Sequence, residues 1–264
     1  LGIAIGEGKI DPDAPAPVPE WESTDDPRRA ITVRQLAQMT DGLAFREDYG
    51  DTDSEAMQML FGAGRGDVGA AAARTPLGAP PGTRWSYSSG SANLLSRILR
   101  DAVGGREAYR AFLHERLFAP LGMASAVAEF DASGTWIGSS YVHATARDFA
   151  KFGLLYLNHG LWEMRQIVPR DWVDEAARAT PPSKGLYGTL FWLNAHKDGD
   201  GKGPCAISDK LPCDMFFARG FGGQLIAVAP SHDAIIVMLN ANYGEENEPI
   251  VDLFADILAT IGAP

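Results

Sequence analysis

Apolar residues recur at helical spacing along most of the chain through the segment after Pro169, and in strand-like runs from residue 189 on. LGIAIGEGKI, residues 1–10, reads as the second half of a helix ending at Gly8 rather than as a signal peptide, because it has no basic n-region. DPDAPAPVPE, residues 11–20, is Pro-rich and predicts an extended surface loop. Thr32 predicts the cap of a helix that carries Val33, Leu36 and Met39 and is closed by Gly42. Thr52 and Glu55 have capping-box spacing ahead of Met57, Leu60 and Phe61. Residues 62–82, rich in Gly, Ala and Pro, read as a long excursion. Ser91 then predicts the cap of a helix with Leu94, Leu95, Ile98, Leu99 and Ala102 on one face, stopped by Gly104. Further helices are predicted over residues 106–118, after the Thr145/Asp148 cap with Phe149, Phe152, Leu155 and Tyr156 inward, and after Pro169 with Trp172 and Val173.

The period then changes. TLFWLN (189–194), MFFARG (215–220), GQLIAVAP (223–230) and DAIIVMLNAN (233–242) are rich in β-branched and aromatic residues and predict successive antiparallel strands. The short turn at Pro230, Ser231, His232 and Asp233 joins two of them as a hairpin. A last helix follows Asn247 and Pro249, with Ile250, Val251, Phe254, Ile257, Leu258 and Ile261 on its buried face. Helices first, then strands, then a helix is an α+β order and not a βαβ alternation.

Composition narrows the function classes. The 264 residues are 45% hydrophobic and 22% charged, which is a globular chain and not a disordered one. With 23 Lys and Arg against 34 Asp and Glu, the net charge is 23 − 34 = −11, which repels nucleic-acid phosphates and anionic membranes. The longest apolar run, residues 234–239, is strand-sized, so no membrane span is expected. Cys205 and Cys213 are either a closed pair stapling a loop, which points to an oxidising compartment, or two free thiols. His114, His143, His159, His196 and His232 are scattered without metal-ligand spacing, so no metal is expected.

Two segments carry candidate chemistry. PGTRWSYSSG, residues 81–90, places Tyr87 among small hydroxyl residues just before a helix start, where backbone N–H groups favour negative charge. Such a site eases loss of the proton from a phenol whose unperturbed pKa is about 10. The same pattern also fits a turn tyrosine followed by serines that cap the helix. In ARGFGGQ, residues 218–224, three glycines within a strand pattern suit close approach of a ligand to backbone N–H groups, or else a bulge or tight bend.

With these segments in order, the chain resembles the serine β-lactamase and penicillin-binding-protein superfamily. The likeness is to its class C-like branch of esterases, D-aminopeptidases and 6-aminohexanoate-dimer hydrolases. GIAIGEGKIDPDAPAPVPEW resembles the end of the family's nucleophile helix and the loop after it. ITVRQLAQMTDGL resembles the "TvrhLLtmtSGL" segment, with Asp41 where Ser is usual. PGTRWSYSSGSANLLSRIL resembles the second catalytic motif, and LFAPLGM, YVHATARDFAKFGLLYLN and RGFGGQLIAVAP…IIVMLNAN resemble later segments.

The resemblance implies acyl transfer to the Ser of a Ser-x-x-Lys motif, then hydrolysis, without a cofactor. None of the serines in these 264 residues has Lys three positions later. The expectation is that the nucleophile lies roughly three helical turns before Leu1, together with the family's first strands and first helix. The chain as written is therefore not expected to acylate. Tyr87 matches the Tyr of the family's Tyr-x-Asn/Ser motif and Ser89 its third position, which implies that Tyr87 relays the nucleophile's proton. Phe221, Gly222 and Gly223 match the strand motif that is Lys-Thr-Gly in true β-lactamases, which makes the backbone N–H of Gln224 one oxyanion donor. Phe221 offers no cation to a substrate carboxylate, which favours an ester or small amide over a β-lactam; Arg219 is a partial substitute, and Tyr141, just before the Thr145 helix, either lines the site or is a packed aromatic near a helix start. Trp85, Trp136, Trp162, Trp172 and Trp192 are either site walls or core.

The expected fold is a single β-lactamase/transpeptidase-like α+β domain over 1–264, an antiparallel sheet flanked by helices. It has a mostly helical insertion at about 43–185 and the sheet with its last helix at about 186–264. The expected partner is a small-molecule ester or amide, with no nucleic acid, in a periplasmic or secreted protein, a cytoplasmic one being the alternative. Two other readings stay open: an inactive relative that binds a peptide or acyl ligand in the same site, and a processed structural fragment.

Overall fold

Helices start where a short polar side chain can take up a free backbone N–H, and the chain follows that rule more closely than its apolar periodicity indicates. The computed structural model describes residues 1–241 and 248–262. They fall into two units, Leu1–Phe118 with Val127–His143, and Ala119–Ala126 with Ala144–Pro264.

In the first unit, α1 (Gly2–Gly6) closes as expected: Gly8, at φ 69°, and Lys9 donate back to Ile5 and Ala4. The Pro-rich segment after it is only partly a surface loop, because Ala16 and Val18 turn inward and are buried. α2 (Val33–Ala37) carries a reciprocal capping box, with Gln35 N donating to Thr32 Oγ1 at 3.2 Å and Thr32 N donating to Gln35 Oε1 at 3.0 Å. It is shorter than predicted, and Met39 lies beyond it at φ 58°. α3 (Glu55–Leu60) is capped by Ser54, which accepts from Met57 N, and not by Thr52; Glu55 instead pairs with Arg46. α4 (Val68–Ala73), capped by Asp67, occupies part of the stretch read as an excursion. Its VGAAAA sequence lacks the apolar–polar contrast that reveals a helix.

α5 (Ser89–Ala102) starts three residues earlier than its periodicity suggests, because Ser88 rather than Ser91 is the cap. Leu94, Leu95, Ile98 and Leu99 are buried on it, whereas Ala102 is exposed. α6 (Arg106–Leu113) runs into a π-helical turn, His114–Phe118. β1 (Val127–Ala128) and β2 (Val142–His143) form a short antiparallel pair that was not anticipated. Trp21 anchors this unit's core, fully buried, with Nε1 donating to Ala73 O at 2.9 Å.

In the second unit, α7 (Ala146–Leu157) is capped by Thr145 as predicted; Leu155 is buried, while Phe149, Phe152 and Tyr156 are half-buried. β3 (Leu161–Trp162) and β4 (Arg165–Gln166) form a tight, unanticipated hairpin around Glu163 and Met164, both at positive φ. α8 (Arg170–Ala176) follows Pro169 and buries Trp172 and Val173. The predicted strands appear as β5 (Trp192–Leu193), β6 (Phe216–Gly220), β7 (Gln224–Ala229) and β8 (Ala234–Met238), paired antiparallel in chain order. Asn242 lies outside the described residues. Pro230–His232 and Asp233, at φ 46°, make the hairpin turn between β7 and β8.

The alternation of side chains along β6 and β7 gives the sheet two apolar faces. Phe217, Leu225, Ala227 and Ala229 pack with Phe254 and Leu258 of α9 (Glu248–Ile261). Phe216 and Val228 pack on the other face with Ala176, Phe191 and Leu193, against Phe152 and Tyr156 of α7. Asn247, expected to open α9, lies outside the described residues, and Ile261, expected inside, is exposed in the last turn. Helices around an antiparallel sheet make the architecture α+β, as the sequence predicts.

Candidate active site

The start of α5 is fixed from several directions. Upstream, Gly82 N donates to Thr40 O at 2.7 Å and Ser86 N to Met39 O at 3.0 Å. The turn that receives them needs glycine at position 42: φ is 80°, and a Cβ there would lie 2.2 Å from Ala79 O. Tyr87 is half-buried and stands directly before the cap Ser88, whose Oγ accepts from Ser91 N at 3.1 Å. Ser91 Oγ in turn donates to Asp41 Oδ2 at 2.7 Å, and Leu43 N donates to Asp41 Oδ1 at 2.9 Å. Asp41 is buried, and burial pushes its carboxyl above the ordinary aspartate range against the pull of these hydrogen bonds.

A second layer comes from the loop before α3. Phe45 packs where a Cβ on Gly90 would sit, 2.6 Å from its ring. Glu47 reaches the first turn of α5: Ser89 N donates to Oε2 at 2.7 Å and Ser89 Oγ to Oε1 at 2.5 Å. A carboxylate is favoured there by the helix dipole as well as by the hydrogen bonds. Tyr49 OH also donates to Glu47 Oε1, at 2.8 Å, and burial followed by the Glu47 charge pushes this phenol up. Arg46 holds the loop through Glu55 and Asp51. Sequence reasoning missed Glu47 and Tyr49. Their one sequence signal, a charged FREDYGD run between two helices, says nothing of a partner 42 residues away.

The structure therefore brings Tyr87 and Ser89 to one helix start. Ser89 is buried with its hydroxyl committed to Glu47. Tyr141 belongs to the same unit at φ 58°, a strained value for a bulky side chain, and burial followed by the Glu129 charge raises its phenol. Ser139, two residues earlier, is tied to α5 by Asn93 Nδ2 at 3.0 Å.

In the second unit, Gly220 of ARGFGGQ is the last residue of β6, and Gly222 and Gly223 lie in the turn between β6 and β7. Gly220 pairs with Gln224, and Gly222 and Gly223, at φ 74° and 83°, supply the positive φ that the turn demands. Phe221, at the tip, is 64% exposed. The side chain of Gln224 joins β7 to the chain after β8: its Nε2 donates to Asn240 O, and Asn240 N donates to its Oε1 at 3.1 Å. Arg219 shares the α9-facing side of β6 with Phe217, lies 5.1 Å over the Trp192 ring, and lines a cavity of about 340 Å³ with Ile207, Leu211, Val251 and Phe254. Cys205 and Cys213 are joined, their Cα atoms 5.5 Å apart, in the loop beside this cavity. Of the tryptophans, Trp172 is core, and Trp85, Trp136, Trp162 and Trp192 are half-buried.

A family model described as Beta-lactamase matches residues 1–259. The 6-aminohexanoate-dimer hydrolase of Paenarthrobacter ureafaciens is 27% identical over 267 residues, covering 91% of this chain and 62% of its own. The chain thus spans less than two thirds of that curated relative. A crystal structure of a beta-lactamase from Mycobacterium bovis matches with TM-score 0.63 at 20% identity, over 98% of this chain and 80% of that one. A D-stereospecific amidohydrolase from Streptomyces sp. matches with TM-score 0.63 at 19% identity, over 96% and 81%.

Proposed function

The chain belongs to the beta-lactamase family, and on that premise we propose that the whole protein is a serine hydrolase cleaving an ester or small amide through an acyl-enzyme. The observation that carries this reading is the placement of Tyr87. It stands one residue before the cap of α5, with its backbone pinned on both sides by Ser86 and Ser88. A general base has to be held in place to act, and a phenol becomes a useful one when a neighbouring ammonium lowers its pKa.

In this mechanism the nucleophile and the ammonium are the Ser and Lys of a Ser-x-x-Lys motif, which the 264 residues do not contain. Tyr87 takes the hydroxyl proton as the serine attacks, and passes it to the leaving group. The Gln224 backbone N–H stabilises the oxyanion; a donor of this kind contributes about 3 kcal/mol to the transition state. Ser89 serves through Glu47, by fixing the helix start beside Tyr87. Uncharged Phe221 favours a substrate without a carboxylate at that point, and the two relatives, a dimer hydrolase and an amidohydrolase, support hydrolysis of small acyl compounds. The closed Cys205–Cys213 pair supports a periplasmic or secreted setting.

Intact mass before and after treatment with a fluorophosphonate tests the proposal. The whole protein should gain one adduct, mapped to the serine of Ser-x-x-Lys. A protein that stays unlabelled overturns it.

A further inference from the structure

In the second unit, His196, Cys205 and Cys213 each offer one ligand atom, and the three atoms lie within 4.8 Å of one another. Their spacing in the sequence fits no zinc pattern; the fold alone assembles them. His196 and Cys205 face each other across an isolated antiparallel bridge. Flanking hydrogen bonds hold that bridge, from Ala206 N to Ala195 O at 2.9 Å and from Lys197 N to Pro204 O at 3.1 Å.

The loop that carries the cysteines is cast around Asn194, which is fully buried. Its Oδ1 accepts from Ile207 N at 2.8 Å and Ser208 N at 2.9 Å. Its Nδ2 donates to Ser208 O, Leu211 O and Pro212 O at 2.9–3.1 Å. Asp209 adds an acceptor for Cys205 N at 2.7 Å. These hydrogen bonds tie the loop at points other than the sulfur–sulfur bond. His196 is oriented as well: its Nδ1–H donates to Gly203 O at 2.5 Å, which leaves the lone pair on Nε2. A backbone acceptor behind one ring nitrogen is the usual support of a metal-bound histidine.

We propose that the reduced loop is a zinc site made by the Cys205 and Cys213 thiolates and His196 Nε2, so that the loop alternates between a disulfide and a metal clip. A dithiol reductant passes two electrons and two protons to the Cys205–Cys213 bond and closes its own disulfide. The freed thiols then release those two protons as Zn²⁺ binds. Two thiolates and a neutral imidazole cancel the charge of the dication, which limits the cost of placing it beside one buried and two half-buried ligands. Thiolate ligands select zinc over magnesium or calcium, and three protein ligands leave a fourth position for water. Either clip holds Ile207 and Leu211, which wall the cavity beside Arg219. The inference does not depend on the hydrolase reading.

The test uses the unmutated chain in two redox states. The protein is reduced with a water-soluble phosphine, freed of it without air, and titrated with Zn²⁺ against a chromophoric chelator; the oxidised protein is titrated alongside. The reduced form should bind one equivalent and the oxidised form none, and Co²⁺ in place of zinc should give a thiolate-to-metal charge-transfer band. His196→Ala should weaken binding ~10-fold or more, since even supporting partners of a ligand are worth that much. Equal binding by both redox states, no binding by the reduced form, or unchanged affinity in His196→Ala overturns the site. A reduced protein that loses its near-ultraviolet circular dichroism overturns the loop's independence of the disulfide.

Discussion

Glu47 and Ser89 meet across 42 residues of chain, with both carboxylate oxygens on Ser89: one accepts from its backbone N–H and one from its hydroxyl. This contact closes the first turn of α5 directly after Tyr87. Glu47→Ala removes a charged acceptor and leaves a buried N–H unsatisfied, so it should cost about 1–3 kcal/mol. Glu47→Gln, which keeps one acceptor oxygen, should cost less. Urea unfolding checks the order, and unchanged midpoints in both variants would contradict the role given to Glu47.

Phe45 and Gly90 form the apolar half of the same joint. A methyl on Gly90 meets the Phe45 ring at 2.6 Å, so Gly90→Ala should destabilise by about 1–3 kcal/mol through overpacking. In a Phe45→Leu background the added cost should shrink, because the two residues share one space. Thermal melts of the four proteins in that cycle give the coupling; strict additivity would rule out the contact.

Two carboxylates move stability with pH in opposite senses. Asp148, at the start of α7, is held down to about 2 by Lys151 and then Ser125, below its ordinary 3.8. Between those values the unfolded chain binds more protons, so the stability Asp148 supplies is complete above pH 3.8 and lost as pH falls toward 2. Asp148→Asn should flatten that acid loss. Asp41 is raised by burial; the folded state binds the extra proton, and stability falls as pH rises above 3.8 until Asp41 ionises in the folded protein. Asp41→Asn should remove that fall. Denaturation midpoints across the acid range, compared with the unmutated protein, test both signs.

Phe221 stands exposed at the β6–β7 turn, where a longer charged side chain has room. If it faces substrate, Phe221→Lys should raise kcat/KM for a penicillin over a neutral aryl ester by about 5-fold at most, the worth of an exposed ion pair. No change in that ratio would remove Phe221 from the substrate side.

The helices legible in the sequence were those with strong apolar contrast, such as the Leu94–Leu99 face of α5, and the strands were those rich in β-branched residues. Caps were misplaced where several hydroxyl residues competed: Ser88 against Ser91, and Ser54 against Thr52. Which of them caps depends on where the preceding loop is tied, and local propensity does not carry that. α4 was hidden by its uniform alanines. In the candidate site, Tyr87 and Ser89 were readable because they are adjacent to a helix start. Glu47, Tyr49 and the Asn194-centred loop were not, because tertiary folding alone brings their partners near. Gly222 and Gly223 fit the tight-bend reading of their segment, since they supply the positive φ of the β6–β7 hairpin turn.

The most direct test of the account is the rate of aryl-ester hydrolysis by the whole protein carrying Tyr87→Phe, which deletes one oxygen and little volume. With Tyr87 as the proton relay, kcat should fall ~100-fold or more, while the unfolding midpoint stays near that of the unmutated protein. A variant that keeps kcat within a few-fold of the unmutated enzyme would contradict the mechanism.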